Sequence, residues 1–140
     1  MKDTLQRLAD MAERITSSEA VRKDAFGFTM DIPDMPLSFF AANGDTNEAY
    51  CRALVGKTEG ACPAGFAEAA LMGNFFWRAT EGATLSLDEK ENAIYLTDRF
   101  DEGAFEEEAA FTDYVNELLR TVQDWRSRLE SYLMGKEASK

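Results

Sequence analysis

Histidine is absent from this 140-residue chain. Its absence removes the Ser–His and Cys–His nucleophile pairs, and with them the side chain whose ordinary pKa best suits proton transfer near neutrality. Cysteine is scarce: Cys51 and Cys62 are the two present, and they form no CxxC spacing. Without histidine they are too few for a zinc site of the usual kind, and they read as reduced structural thiols, with a disulfide or a redox role as the alternative. No apolar run approaches the roughly 20 residues that cross a bilayer. The opening Met1-Lys2-Asp3-Thr4-Leu5-Gln6-Arg7 lacks the apolar stretch of a signal peptide. The expectation is a cytoplasmic protein that does not insert into membrane. Positive charge is also short, with 15 Lys and Arg against 26 Asp and Glu and a net charge of −11. Such a chain repels nucleic acid and anionic lipid over most of its surface. The same field favours a basic partner segment, or serves solubility alone.

Catalytic motifs are missing too. Gly56-Lys57-Thr58 echoes the end of a phosphate-binding loop, but the glycine required five positions earlier is Cys51. No GxSxG nucleophile turn occurs. The acidic groups Asp31/Asp34, Asp98/Asp101/Glu102 and Glu106-Glu107-Glu108 are the remaining candidates for a carboxylate pair or an oxygen-ligand metal site. Nothing in their spacing sets one carboxylate apart from its neighbours, as acid–base work requires, and they read as solvated surface. No catalytic residue, metal or cofactor is expected, and the chain reads as a binding protein rather than an enzyme.

What is present is periodic. Leu5, Leu8, Met11, Ala12 and Ile15 step by three and four, predicting an amphipathic helix over residues 3–16. Phe26, Phe28, Met30 and Ile32 alternate with Gly27, Thr29 and Asp31, the period of a half-buried strand. Pro33-Asp34-Met35-Pro36 is a turn, residues 37–42 are a second apolar run, and Asn43-Gly44-Asp45 supplies a hairpin turn. Residues 49–55 suit strand or helix, and the hairpin signal before them favours strand. Pro63 opens a short alanine-rich helix that Gly73-Asn74 ends. Ala83 to Leu87 and Ala93 to Thr97 alternate as two more strands around the turn Asp88-Glu89-Lys90-Glu91-Asn92.

Phe111, Val115, Leu118, Val122, Trp125, Leu129 and Tyr132 mark one long helix over residues 105–133, with Gly135 as its stop. Acidic residues at its start and arginines towards its end complement the helix dipole. The stripe suits a helix packed on a sheet better than a coiled coil, since it is only about three heptads long. The fold expected is therefore α+β: a twisted antiparallel sheet of about five strands with three helices, in the order α-β-β-β-α-β-β-α. Residues 1–135 form a single domain and 136–140 a frayed tail. Phe75-Phe76-Trp77, if on a strand, points to both faces of a sheet, and serves either as core or as the seam of a dimer.

Leu71-Met72-Gly73-Asn74-Phe75-Phe76-Trp77, then Gly82-Ala83-Thr84-Leu85-Ser86-Leu87-Asp88, then Ile94-Tyr95-Leu96, resembles the central signature of class I type III secretion chaperones, the Tir chaperone (CesT) family. Leu118-Leu119 and Trp125 on the closing helix fit the same pattern. The resemblance covers nearly the whole chain, apart from residues 43–62. It implies a bacterial cytoplasmic homodimer that binds the N-terminal chaperone-binding segment of a secreted effector protein, keeps it soluble and secretion-competent, and uses no cofactor. The secretion ATPase is a further partner that the resemblance allows. Mapped onto this sequence, the dimer seam is Phe66, Ala69, Ala70, Met72, Phe76, Trp77 and Leu85. The effector-binding residues are Leu5, Leu8, Phe26, Phe28, Leu37 and Phe39. The alternative is a small cytosolic protein of related fold that acts as a general protein-binding module without a secretion role.

Overall fold

The computed structural model describes residues 1–41 and 48–138. Helix α1 (Lys2–Ile15) buries Leu5, Leu8, Ala9, Met11 and Ala12 along one face, as the three-and-four spacing requires. It ends where the Thr16 hydroxyl donates back to the Ala12 carbonyl at 2.6 Å. A single 3-10 turn then leads into strands β1 (Val21–Lys23), β2 (Gly27–Met30), β3 (Leu37–Phe40) and β4 (Glu48–Lys57). Helix α2 (Ala64–Gly73) separates these from β5 (Thr84–Asp88) and β6 (Ala93–Asp101), and α3 (Glu108–Ala138) closes the chain.

The strands form one antiparallel sheet in the order β1-β2-β3-β4-β6-β5, which leaves β1 and β5 at opposite edges. The sheet therefore has six strands rather than about five. The additional one is β1, which is three residues long and buries only Val21. A strand that short shows no alternation, so its sequence carries no period-two signal. Residues 49–55 are strand, part of β4, as the hairpin signal predicted. The Asn43-Gly44-Asp45 turn lies outside the described residues, although β3 and β4 pair as a hairpin would, with Phe40 opposite Tyr50.

Helices α1 and α3 cover one face of the sheet. Phe28 stacks on Phe39 at 4.9 Å, and Phe39 meets Phe111 of α3 at 5.6 Å. Trp125 is wholly buried, and its indole N–H donates to the Ala79 carbonyl at 2.9 Å. Phe66 of α2 meets the Trp125 ring edge-on at 6.0 Å. Gly73 lets α2 end against that indole, because a Cβ there would sit 2.5 Å from Trp125 Cζ2. One residue further along α3, Arg126 fans its guanidinium over three carbonyls: Val55 at 2.9 Å, Leu54 at 2.9 Å and Asp34 at 2.8 Å. It thereby satisfies the backbone where β4 bulges between Leu54 and Gly56.

Two expectations need correction. Phe75-Phe76-Trp77 is not strand but a 3-10 turn, with Phe76 and Trp77 in left-handed backbone at φ 52° and 54°. The reason is Asn74, whose side-chain amide occupies the place a neighbouring strand would take. It accepts from Leu85 N–H at 2.9 Å and donates to the Leu85 carbonyl at 3.1 Å. With that edge of β5 already met, the three aromatics turn outward. Helix α3, in turn, begins at Glu108 rather than 105 and passes through Gly135 to Ala138. A glycine lowers helix propensity by only about 1 kcal/mol, too little to stop an established helix.

Candidate functional site

Among the described residues no group of three or more His, Cys, Asp or Glu side chains is placed to hold a metal. Asp31 forms a two-pronged pair with Arg22, which holds its carboxyl below the ordinary value of 3.8 through the hydrogen bond they share. Asp98 accepts the Tyr114 hydroxyl at 2.8 Å, and burial pushes that phenol far up. Cys51 and Cys62 are free thiols, and burial raises both, which keeps them in the unreactive thiol form. No helix among the described residues is long and apolar enough to cross a membrane.

Besides Tyr132 and Met134 on α3, the exposed large apolar residues stand in two places near opposite edges of the sheet, Phe26 alone at one and six residues at the other. The first is a groove of about 400 Å³ between α1 and the β1–β2 turn, floored by Leu5, Ala9 and Phe28 and rimmed by Phe26, Lys2 and Lys23. Phe26 is held out at 65 % exposure by the turn beneath it, where Asp24 Oδ1 accepts from Phe26 N–H at 2.7 Å and Gly27 N–H at 2.9 Å. Gly27 permits the close approach of β3, since a Cβ there would sit 1.9 Å from the Phe39 carbonyl oxygen.

The second place is the surface made by the end of α2, the aromatic turn and β5. Leu71, Met72, Phe75, Phe76, Trp77 and Leu87 all stand largely exposed there, Phe76 at 69 %. The Trp77 indole N–H donates to Thr84 Oγ1 at 3.1 Å, and Phe75 packs edge-on against Phe76 at 4.6 Å. The patch is thus an ordered shelf of side chains along the outer edge of β5.

The residues expected from sequence divide between surface and core. Of the effector-binding set, Leu5, Phe26 and Phe28 line the α1 groove, but only Phe26 is exposed, while Leu5 and Phe28 are buried in its floor. Leu8, Leu37 and Phe39 are wholly buried. Their apolar surface is spent on the chain's own core, Phe39 between Phe28 and Phe111, and none is left to offer a partner. Of the dimer set, Met72, Phe76 and Trp77 are exposed and Ala69 and Ala70 half-buried. Phe66 and Leu85 are buried, because Phe66 is enclosed by the Trp125 and Tyr132 rings and Leu85 belongs to the core face of β5. Leu71, Phe75 and Leu87 join the shelf without having been expected there. Leu71 and Phe75 lie within the aromatic signature itself, and Leu87 sits two residues from Leu85, so the signal is present in the sequence but does not tell exposed from buried.

A long amphipathic α3 behind an antiparallel sheet, with a short α2 set between its strands, makes up a frame that other proteins share. The model of the Tir chaperone protein (CesT) family matches residues 26–126. The chain belongs to the CesT family. The match takes in every element from β2 through most of α3, including the aromatic turn. No curated protein sequence matches the chain.

Solved structures share the CesT-family fold at low identity. A chain in the ExsC–ExsE complex aligns over 91 % of this chain and 94 % of its own, with 16 % identity and a TM-score of 0.70. A chain in the HopA1–SchA chaperone–effector complex aligns over 91 % and 98 %, with 18 % identity and a TM-score of 0.64. A chain in the structure of the Yersinia pestis type III secretion chaperone SycH with a stable fragment of YscM2 aligns over 84 % and 98 %, with 10 % identity and a TM-score of 0.58. At such identities the likeness is one of fold. The family is one of chaperones, not of enzymes.

Proposed function

We infer that this CesT-family chain is a type III secretion chaperone: it binds the N-terminal segment of a secreted effector, keeps it soluble and releases it to the secretion machinery. The observation that carries the reading is the separation of two exposed apolar surfaces to opposite edges of one sheet. A single chain has no use for either within its own core, and their placement lets two partners bind at once. The shelf of Met72, Phe76 and Trp77 beside β5 gathers large exposed apolar side chains, with Arg78 and Glu81 exposed near it, the apolar core and charged rim of a seam between identical subunits. The α1 groove, with its lysine rim beside Phe26, suits an extended segment that leaves again. The unpaired edge of β1 offers that segment a strand to join. Holding and releasing such a segment consumes no cofactor. The bacterial cytoplasm is its setting, and the secretion ATPase is the partner that receives the loaded effector.

The test is to co-express the chain with amino-terminal fragments of secreted proteins encoded nearby, and to measure mass by light scattering. The expected outcome is a dimer that co-purifies one such fragment and keeps it soluble. A monomer that captures none of them would overturn the reading and leave a general binding module without a secretion role.

A further inference from the structure

The two faces of the sheet are unlike. One is filled by α1 and α3. On the other, among the described residues, no helix covers Phe40 of β3, Tyr50, Arg52 and Leu54 of β4, or Tyr95 of β6. The Arg52 guanidinium stands 4.8 Å from the centre of the Tyr95 ring and 5.5 Å from that of Phe40, and Phe40 meets Tyr50 at 5.8 Å. A hollow of about 360 Å³ opens on one side of this platform towards Ser86 and Thr97. Another of about 220 Å³ opens on the other side towards Thr29 and Ser38.

Among the described residues Arg52 is a cation without a counter-ion, in a strongly acidic chain. Among the described residues it makes no ion pair and donates no hydrogen bond, whereas Arg99 on the adjacent strand pairs with Glu48 at 3.8 Å. Asp24 and Asp88 border the two hollows, but each is engaged by backbone. Asp24 accepts from Phe26 and Gly27, and Asp88 from Lys90 at 3.0 Å. Contact with the two rings seats the guanidinium over an apolar floor, and its N–H groups make no hydrogen bond among the described residues. A planar fork presented on an apolar floor matches a carboxylate, which it binds with two parallel hydrogen bonds.

The strands beneath determine what kind of segment can carry that carboxylate. β3, β4 and β6 each have a hydrogen-bonded neighbour on both sides. A segment laid over them finds no main-chain partner and must satisfy its own backbone, which a helix does and an extended strand does not. We propose that the open face of β3, β4 and β6 takes an amphipathic helix of the captured partner, and that Arg52 selects that helix by pairing with a carboxylate set in its apolar stripe. This rests on the chaperone reading and adds a preference that the net charge of −11 would not suggest, since that field alone favours basic segments.

The experiment uses the full chain and three fluorescein-labelled amphipathic peptides of about 18 residues, five helical turns. The peptides share one leucine stripe and differ at its centre, which is Glu, Gln or Lys, and binding is read by fluorescence anisotropy. The Glu peptide is expected to bind about tenfold tighter than the Gln peptide, the size of a hydrogen bond between charged groups, with the Lys peptide weakest. Arg52→Gln removes the Glu-over-Gln preference without moving the thermal midpoint, since Arg52 lies on the surface. Arg52→Lys restores it only in part, because an ammonium neither stacks flat nor forks. Arg52→Glu turns the preference to the Lys peptide. A native chain that binds the three peptides equally, favours Lys or binds none overturns the proposal, as does a preference that survives Arg52→Gln. If that same chain still captures effector fragments, the chaperone reading stands and only the role of Arg52 is lost.

Discussion

Phe26 and Phe76 are both exposed phenylalanines at the edges of one sheet, yet they are held for different ends. Phe26 stands alone on a turn that Asp24 fastens, with Lys2, Lys23 and Asp24 close around a narrow groove. Phe76 stands in a row of large apolar side chains from Leu71 to Leu87, with left-handed backbone forcing it outward. A small, polar-rimmed groove gives modest affinity that a partner can leave, while a wide apolar shelf gives lasting association between folded subunits. The contrast teaches that exposure alone does not name a partner. What surrounds the exposed ring does.

The contrast is broken most severely from below. Trp125 carries the α2 end of the molecule, through Phe66, Gly73 and Ala79. Trp125→Ala is expected to cost about 3–5 kcal/mol, read by chemical denaturation, and to cost the proposed dimer with it. Unchanged unfolding would show that α2 and the aromatic turn stand without the indole. Next in size is the shelf itself: Phe76→Asp with Trp77→Glu is expected to halve the mass in light scattering while the α1 groove still takes an effector fragment. A mutant that stays dimeric would move the seam elsewhere on the chain.

At the other edge the effects are smaller. Phe26→Ser is expected to weaken fragment binding about tenfold in calorimetry, the loss of one apolar anchor, while unfolding shifts by less than about 0.5 kcal/mol. A drop in stability instead would make Phe26 part of the fold rather than of the groove. The smallest effect concerns the Arg22–Asp31 pair that bonds β1 to the end of β2. The Asp31 carboxyl is held below its ordinary value of 3.8, so its contribution is present above that pH and fades as pH falls through the lowered folded value. Both groups are solvent-exposed, so the change is expected in the Asp31 carboxyl resonance followed by NMR rather than in the overall midpoint, and Arg22→Met should return that resonance to ordinary titration.

Much of the fold is legible in the amino-acid order alone. The stripes of α1 and α3 are long enough for a 3.6-residue period to declare itself, and all six large residues from Phe111 to Leu129 on the α3 stripe are buried. β1 is not legible, because three residues cannot show a period. The aromatic turn reads as strand because Phe and Trp favour strands, and a tertiary contact, the Asn74 amide on Leu85, overrides that propensity. The candidate site is legible only as a pool of apolar residues. Alternation assigns Phe39 and Phe40 to opposite faces, but which face α1 and α3 cover is set by packing, and it is Phe39 that they bury. Arg52 gives no sign at all, since its meaning comes from Phe40 and Tyr95 on the two neighbouring strands.

The amide of Asn74 has a consequence for how copies of this chain can add to one another. An open strand edge is a template: it can accept another strand, and that one the next, without limit. At Leu85 both backbone groups on that edge are already satisfied by a side chain, so the sheet cannot propagate there from copy to copy. In the proposed dimer, association along β5 is then left to side chains meeting face to face, an arrangement that a two-fold axis closes at two copies instead of running on as a filament.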